Sequence, residues 1–235
     1  MREDRENGLR VRWQRIRRGI PATVRLIAVT KTVGVETIKL AYQEGIKDFG
    51  ENRLQDATPK QEQLRDYNDI CWHFIGHLQT NKAKKVVECF PWIHSVDSLK
   101  LAQKLDECSK QAKETGKIAD YPQVCLQVKL LPDENKYGWH PRQLWQDLDF
   151  LQSLSHLHFR GLMTILPLGL SSEEMFAAFC RLRELKEEIR QKGYFDDRFD
   201  QLSMGMSDDY ELAIKAGATM IRLGRILFDE DYPLG

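Results

Sequence analysis

The sequence lacks the cysteine pattern of a protein built on disulfides or structural zinc. Its five cysteines, Cys71, Cys89, Cys108, Cys125 and Cys180, are odd in number and form no CxxC pair. That argues for a reducing compartment. Net charge is also missing, since 35 Lys and Arg balance 35 Asp and Glu. The balance gives no general pull towards nucleic acid or an anionic membrane. No window approaches the roughly 20 apolar residues of a membrane span. Met1 to Arg18 is dense in arginine and acids and has no apolar core like that of a signal peptide. A cytoplasmic protein with neither a nucleic-acid nor a membrane partner is expected. No low-complexity linker marks a boundary, so residues 1–235 are read as one domain, a length normal for one α/β barrel.

What is present is an alternation of short β-branched runs with segments of helical period. The strands expected are Val24 to Thr30, Lys47 to Gly50, Trp72 to Ile75, Trp92 to Val96, Val124 to Val128, His158 to Thr164, Gln201 to Leu202 and Thr219 to Leu223. Helical segments follow them. Asp97 is read as an N-cap, Pro141 as a first helical residue, and Ser207 as the cap of a helix from about Asp208. The clearest helix, Glu173 to Gln191, carries a stripe of Met175, Phe179, Leu182, Leu185 and Ile189. Eight β-then-α units predict parallel strands and a closed (β/α)8 barrel, with an open doubly wound sheet as the rival. An extra N-terminal helix is expected, with Leu9, Trp13, Ile16 and Ile20 near one face and arginines over much of the rest. That basic face reads either as solvated surface or as a site for an anionic partner.

Barrels place their sites at the C-terminal ends of the strands. In strand order the polar residues there are Lys31; Glu51 and Asn52; Gly76, His77 and Gln79; His94 and Ser95; Asn135-Lys136-Tyr137-Gly138; Thr164; Ser203, Gly205 and Ser207; and Arg222, Gly224 and Arg225. They form a polar collection at one end of an otherwise apolar barrel. Loops seven and eight suit a phosphate, because glycine lets backbone N–H groups approach it and serine adds a donor. Asp208 and Asp209 would oppose an anion, which puts phosphate nearer Ser203, Gly205 and Gly224. Lys31, at a strand end in the mouth, reads either as a partly desolvated nucleophile or as a solvated loop lysine. Strand alternation puts Met220, Arg222 and Gly224 on one face. The buried Arg222 needs an acceptor, either an ion pair such as Glu51 or a ligand atom. His73 and His77 are four apart, but one lies in a strand and the other beyond it, so no metal site is read there.

At these residues the sequence resembles the PLP homeostasis protein family. The segments are IAVTKTV (27–33), FGENRLQD (49–56), WHFIGHLQTNK (72–82), IHSVDS (93–98), FRGLMT (159–164) and SMGMSDDYELAIKAGATMIRLG (203–224). The resemblance implies a barrel similar to the N-terminal domain of alanine racemase. It implies pyridoxal 5′-phosphate (PLP) held as a Schiff base on Lys31, with Asn52 beside it. Ser203, Gly224 and Arg225 would approach the phosphate, the last two mainly by backbone N–H, and Arg222 would face the pyridine nitrogen. It further implies a role in PLP supply with no established reaction. An arginine cannot take a proton from the ring, and the chain ends about ten residues past the eighth strand, leaving no room for a second domain with an acid/base tyrosine. A monomer is expected, with apo PLP enzymes as recipients; the rival is a stand-alone PLP-dependent amino-acid racemase or another Schiff-base enzyme. Arg225 and Asp229 depart from the family's small residues after the eighth strand.

Overall fold

The computed structural model describes residues 2–133 and 136–233; the expectation placed on Asn135 lies outside them. The elements run α1 (Arg2–Arg18), β1 (Arg25–Val29), α2 (Val35–Gln43), β2 (Asp48–Glu51), α3 (Leu54–Gln63), β3 (Cys71–Phe74), α4 (Ala83–Cys89), β4 (Trp92–Val96), α5 (Leu99–Glu114), β5 (Gln123–Gln127), α6 (Pro141–Ser153), β6 (His158–Met163), α7 (Ser172–Gln191), β7 (Gln201–Ser203), α8 (Tyr210–Lys215), β8 (Met220–Leu223) and α9 (Arg225–Phe228). The strands pair in chain order, all parallel, and β1 closes on β8. Closure excludes the open doubly wound sheet.

Alternation along each strand divides the apolar residues in two. Ala28, Phe49, Ile93, Val124, Leu126, Leu202, Ile221 and Leu223 face outward and join the helices in one large core. Ile27, Trp92, Cys125, Met163 and Met220 form a separate small cluster inside the barrel. The expected facing of β8 is therefore observed. The interior differs from the expectation in one respect: it is not apolar below the mouth. His73, His94, Ser203 and Arg222 are all buried and bonded to one another across it.

Helix α1 packs Leu9 and Ile16 inward, with Ile20 buried in the turn that follows, and the Trp13 indole donates to the Glu44 carbonyl at 2.9 Å. Part of its basic face has an internal job. The Arg12 guanidinium donates to the carbonyls of Ile226, Glu230 and Tyr232, tying the first helix to the chain after β8. Arg17 donates to the Ile20 carbonyl at 2.7 Å, and Arg10 lies 3.6 Å from Glu44. Three of the arginines that suggested an anionic partner are thus engaged within the chain.

Two expected caps are corrected. Ser98, not Asp97, caps α5 by accepting from the Leu101 N–H at 3.4 Å. Ser207 does not cap α8: that helix begins at Tyr210, and the preceding turn is closed by Asp209, whose carboxylate accepts from the Met206 N–H at 2.6 Å. In both places an adjacent residue offers an equivalent acceptor. Pro141 does open α6.

Candidate functional site

The barrel brings the predicted site residues to one end. Lys31 leaves β1, Asn52 leaves β2, Ser203 ends β7, Gly205 and Ser207 lie in the following loop, and Arg222, Gly224 and Arg225 end β8. The junction of β1 with β8 sets the distances. Ala28 pairs with Leu223, so the next residue, Gly224, sits against Val29, two positions before Lys31. A Cβ on Gly224 would stand 3.3 Å from the Val29 Cβ and carbonyl oxygen. Lys31 is exposed, so the partial desolvation expected for its amine is not supplied by the chain itself.

The backbone at Lys31 is held from beneath. Glu51 is fully buried, and its Oε1 accepts from the Thr30 hydroxyl at 2.6 Å and from Lys60 Nζ at 2.8 Å. Lys60 also donates to the Thr30 carbonyl at 2.7 Å. One ammonium therefore bridges β1 and β2 at the residue before Lys31. Glu51 is not the acceptor for Arg222, as the sequence had suggested. Glu51 Oε2 is buried with no hydrogen-bond partner among the described residues, so the Lys60 ammonium is the group that keeps this carboxylate tolerable. Lys60→Met is expected to cost about 3–5 kcal/mol, the range for an uncompensated buried charge. Urea unfolding reads the loss, and adding Glu51→Gln to the same chain is expected to recover part of it.

Two glycines position loops by lacking a side chain. Gly205 has φ +95°, and a Cβ there would stand 2.6 Å from the Ala213 Cβ. The need comes from packing on α8 rather than from a ligand. Gly76, after β3, passes the Asn52 carbonyl so closely that a Cβ would fall 2.0 Å from its oxygen. Gly76→Ala must displace Asn52, and we expect about 1–3 kcal/mol of destabilisation from the overpacking. A thermal melt of that variant checks it.

The two serines of loop seven behave differently. Ser207 Oγ accepts from the Ile226 N–H at 3.3 Å, which leaves its own proton to donate. Ser203 is fully buried and already engaged on both sides, 2.7 Å from Arg222 Nη1 and 2.7 Å from His94 Nδ1. Its hydroxyl is thus held between Arg222 and His94 within the chain. The Arg225 side chain turns away to Asp208, which also accepts from the Tyr232 hydroxyl. That pairing offsets one of the two charges expected to oppose an anion.

Arg222 is almost wholly buried, and it donates to Ser203 Oγ and, at 2.9 Å, to the Thr164 carbonyl. Burial lowers its pKa to about 10, against the pull of Asp209. The sequence reading did not find the chain below it. His94 Nε2 lies 2.9 Å from His73 Nδ1, and His73 Nε2 lies 3.0 Å from Asp48 Oδ1, which also accepts from Arg25. Burial pushes His73 down to about 4 and His94 well below its usual range. Although burial pushes Asp48 up, hydrogen bonds from His73 and Arg25 hold its carboxyl below the usual range. Alternation in β3 and β4 carried the missed signal, because His73 and His94 fall on the same inward face as Trp92. Asp48, Cys71 and His73 come within 4.8 Å of one another. Arg25 already occupies Asp48, and burial raises the Cys71 thiol to about 11, so the trio reads as the foot of this chain rather than as a metal centre.

The family described as "Alanine racemase, N-terminal domain" matches residues 6–231. A pyridoxal phosphate homeostasis protein of Synechocystis is 52% identical over 211 residues, covering 90% of this chain and 93% of the relative. The solved structure of PipY of Synechococcus elongatus with PLP bound is 45% identical, with a TM-score of 0.86 over 94% of this chain and 99% of that one. An alanine racemase of Clostridium difficile shares the fold at 19% identity and a TM-score of 0.73, over 97% of this chain and 60% of that one.

Proposed function

The chain belongs to the pyridoxal phosphate homeostasis proteins of the alanine racemase N-terminal domain family, and from that premise we propose that it holds PLP as a Schiff base on Lys31. In this reading it buffers or supplies the cofactor and catalyses no reaction of its own. The observation that carries the proposal is the junction of β1 and β8. An exposed lysine stands two residues beyond the point where Gly224 packs on Val29, with a buried arginine beneath. The donor set fits the group. An amine can condense with an aldehyde, releasing water; a hydroxyl proton at Ser207 and the main chain of Gly224 and Arg225 can meet an anion. Asn52 supplies a polar flank.

PLP supplies an electrophilic aldehyde and, when its ring nitrogen is protonated, an electron sink. Arg222 bears on the second property. A guanidinium only donates, so facing the ring nitrogen it cannot supply the carboxylate partner that protonation requires. The exposure of Lys31 acts in the same direction, because a mouth open to water shields reactive intermediates poorly. Both features favour storage over turnover. As a storage protein it is read as a monomer whose recipients are apo PLP enzymes.

The test is to titrate the protein with PLP, reduce with borohydride and map the adduct. A visible band that bleaches, with phosphopyridoxyl on Lys31, supports the reading. Mixing the loaded protein with an apo PLP enzyme then follows transfer. A protein that stays colourless would sink the proposal, and steady racemisation of an amino acid would replace it with an enzymatic one.

A further inference from the structure

We infer that a one-way hydrogen-bond chain running through the barrel, Asp48–His73–His94–Ser203–Arg222, positions the Arg222 guanidinium from the opposite end of the fold. His73 and His94 are then positioning residues of the site. The inference deepens the proposed function and rests on Arg222 facing the ligand there.

The direction of the chain follows from its two ends. Asp48 is ionised and accepts only, since Arg25 already donates to it. At 3.0 Å, His73 Nε2 must therefore carry a proton. Burial keeps the ring neutral, so Nδ1 is an acceptor, and His94 Nε2, 2.9 Å away, must donate to it. By the same step His94 Nδ1 is an acceptor and the Ser203 hydroxyl, at 2.7 Å, must donate. The serine oxygen keeps its lone pairs for Arg222, 2.7 Å away. Every link is satisfied with both imidazoles neutral and both in the Nε2–H form. The opposite order would set the bare Nε2 of the buried His73 against a carboxylate, two acceptors in contact.

The chain cannot carry a proton to the ligand, because it ends on a group that does not accept one. What it transmits is position. Ser203 can offer Arg222 a fixed oxygen only while His94 holds the hydroxyl proton, and His94 is fixed only while His73 and Asp48 hold their places. Trp92 stacks on His73 at an interplanar angle of 21°, which limits rotation of that ring. Arg222 has a second anchor in the Thr164 carbonyl, so Ser203 supplies the bond that fixes its rotation about that anchor.

The test uses the full-length protein, with and without PLP. Long-range ¹⁵N–¹H spectra of the cofactor-free protein near neutral pH are expected to show both imidazoles as neutral Nε2–H tautomers. Finding His94 as the Nδ1–H form, or charged, overturns the chain whether or not PLP binds. In the loaded protein, Ser203→Ala is expected to shift the absorption maximum and to weaken PLP retention at least about fivefold, a loss of about 1 kcal/mol. Ser203→Thr, which keeps the hydroxyl, is expected to restore both. Asp48→Asn, remote from the ligand, is expected to move the His94 resonances and the absorption maximum together. An unchanged maximum and affinity in Ser203→Ala overturns the positioning role. Wild-type protein that binds no PLP but shows the expected tautomers sinks the proposed function and leaves the chain standing.

Discussion

Lys31→Ala is expected to abolish the borohydride-reducible band while leaving the barrel folded. The side chain is exposed, so the change in stability should stay within about 0.5 kcal/mol. The loss in cofactor retention should be far larger. The loops after β7 and β8 still offer Ser207 and the main chain of Gly224 and Arg225, so PLP should bind, but reversibly. Without the covalent bond, residence should shorten and affinity should fall by more than about tenfold, or about 1.4 kcal/mol. Gel filtration of loaded wild type and variant reads the difference directly: colour travels with the wild type and is stripped from the variant. If Lys31→Ala kept a reducible band, the adduct would lie on another lysine and the assignment would fail. If the variant melted well below the wild type, Lys31 would have a structural role that its exposure denies.

The fold was largely legible because barrel strands declare themselves by composition and spacing. VRLIAVT, WIHSV and VCLQV are β-branched runs at intervals that only a crossover helix can fill, and all eight strands fall within one or two residues of their expected ends. The mouth was legible as well, since a strand's C-terminal end fixes where Lys31, Asn52 and Gly224 must stand. The facing of Arg222 followed from alternation, yet its partner did not. Glu51 was the nearest acid at a strand end, whereas the actual acceptors are a serine hydroxyl on the neighbouring β7 and the Thr164 carbonyl just beyond β6, two strands away. Pairings across a barrel depend on strand stagger, which the sequence does not print. The same limit hid His73 and His94. Each looks unremarkable inside its own strand, and only the register of β3 against β4, which sets His73 opposite Trp92, brings the two rings within 2.9 Å. A serine beside glycines resembles a phosphate loop, whereas the inward turn of Ser203 towards His94 and Arg222 is a property of β7 and not of that motif.

The buried histidine pair should make the protein sensitive to acid over a defined range. In the unfolded chain each imidazole takes up a proton near pH 6.5. In the folded barrel His73 resists until about pH 4, and His94 is likewise held well below its usual range, both chiefly by burial. Below about pH 6.5 the unfolded state therefore binds more protons than the native state, and stability falls as pH falls. Each histidine that stays neutral in the fold contributes a slope approaching at most about 1.4 kcal/mol per pH unit, so the loss should be steepest just below about pH 6 and fade as His73 protonates near 4. Arg25 and Arg222 push in the same direction by opposing a second positive charge. Asp48, held below its usual range, adds the same sign only in stronger acid. Asp209, raised by burial, opposes it weakly, because its native carboxyl binds a proton more readily than its unfolded one. Urea midpoints measured from pH 7.5 down to 4.5 should trace the fall, and His94→Gln should remove a large part of the slope. A flat profile would mean that the pair is solvated or already charged. The same acidification should reach the ligand. Once His73 is protonated, both its nitrogens donate, so His94 Nε2 must accept and its proton moves to Nδ1. The Ser203 oxygen then accepts from His94 and Arg222 together, and its own proton loses its partner. Arg222 should loosen in the pH range where His73 protonates, so the absorption of bound PLP is expected to shift in step with the lower end of the stability loss rather than near pH 6.5.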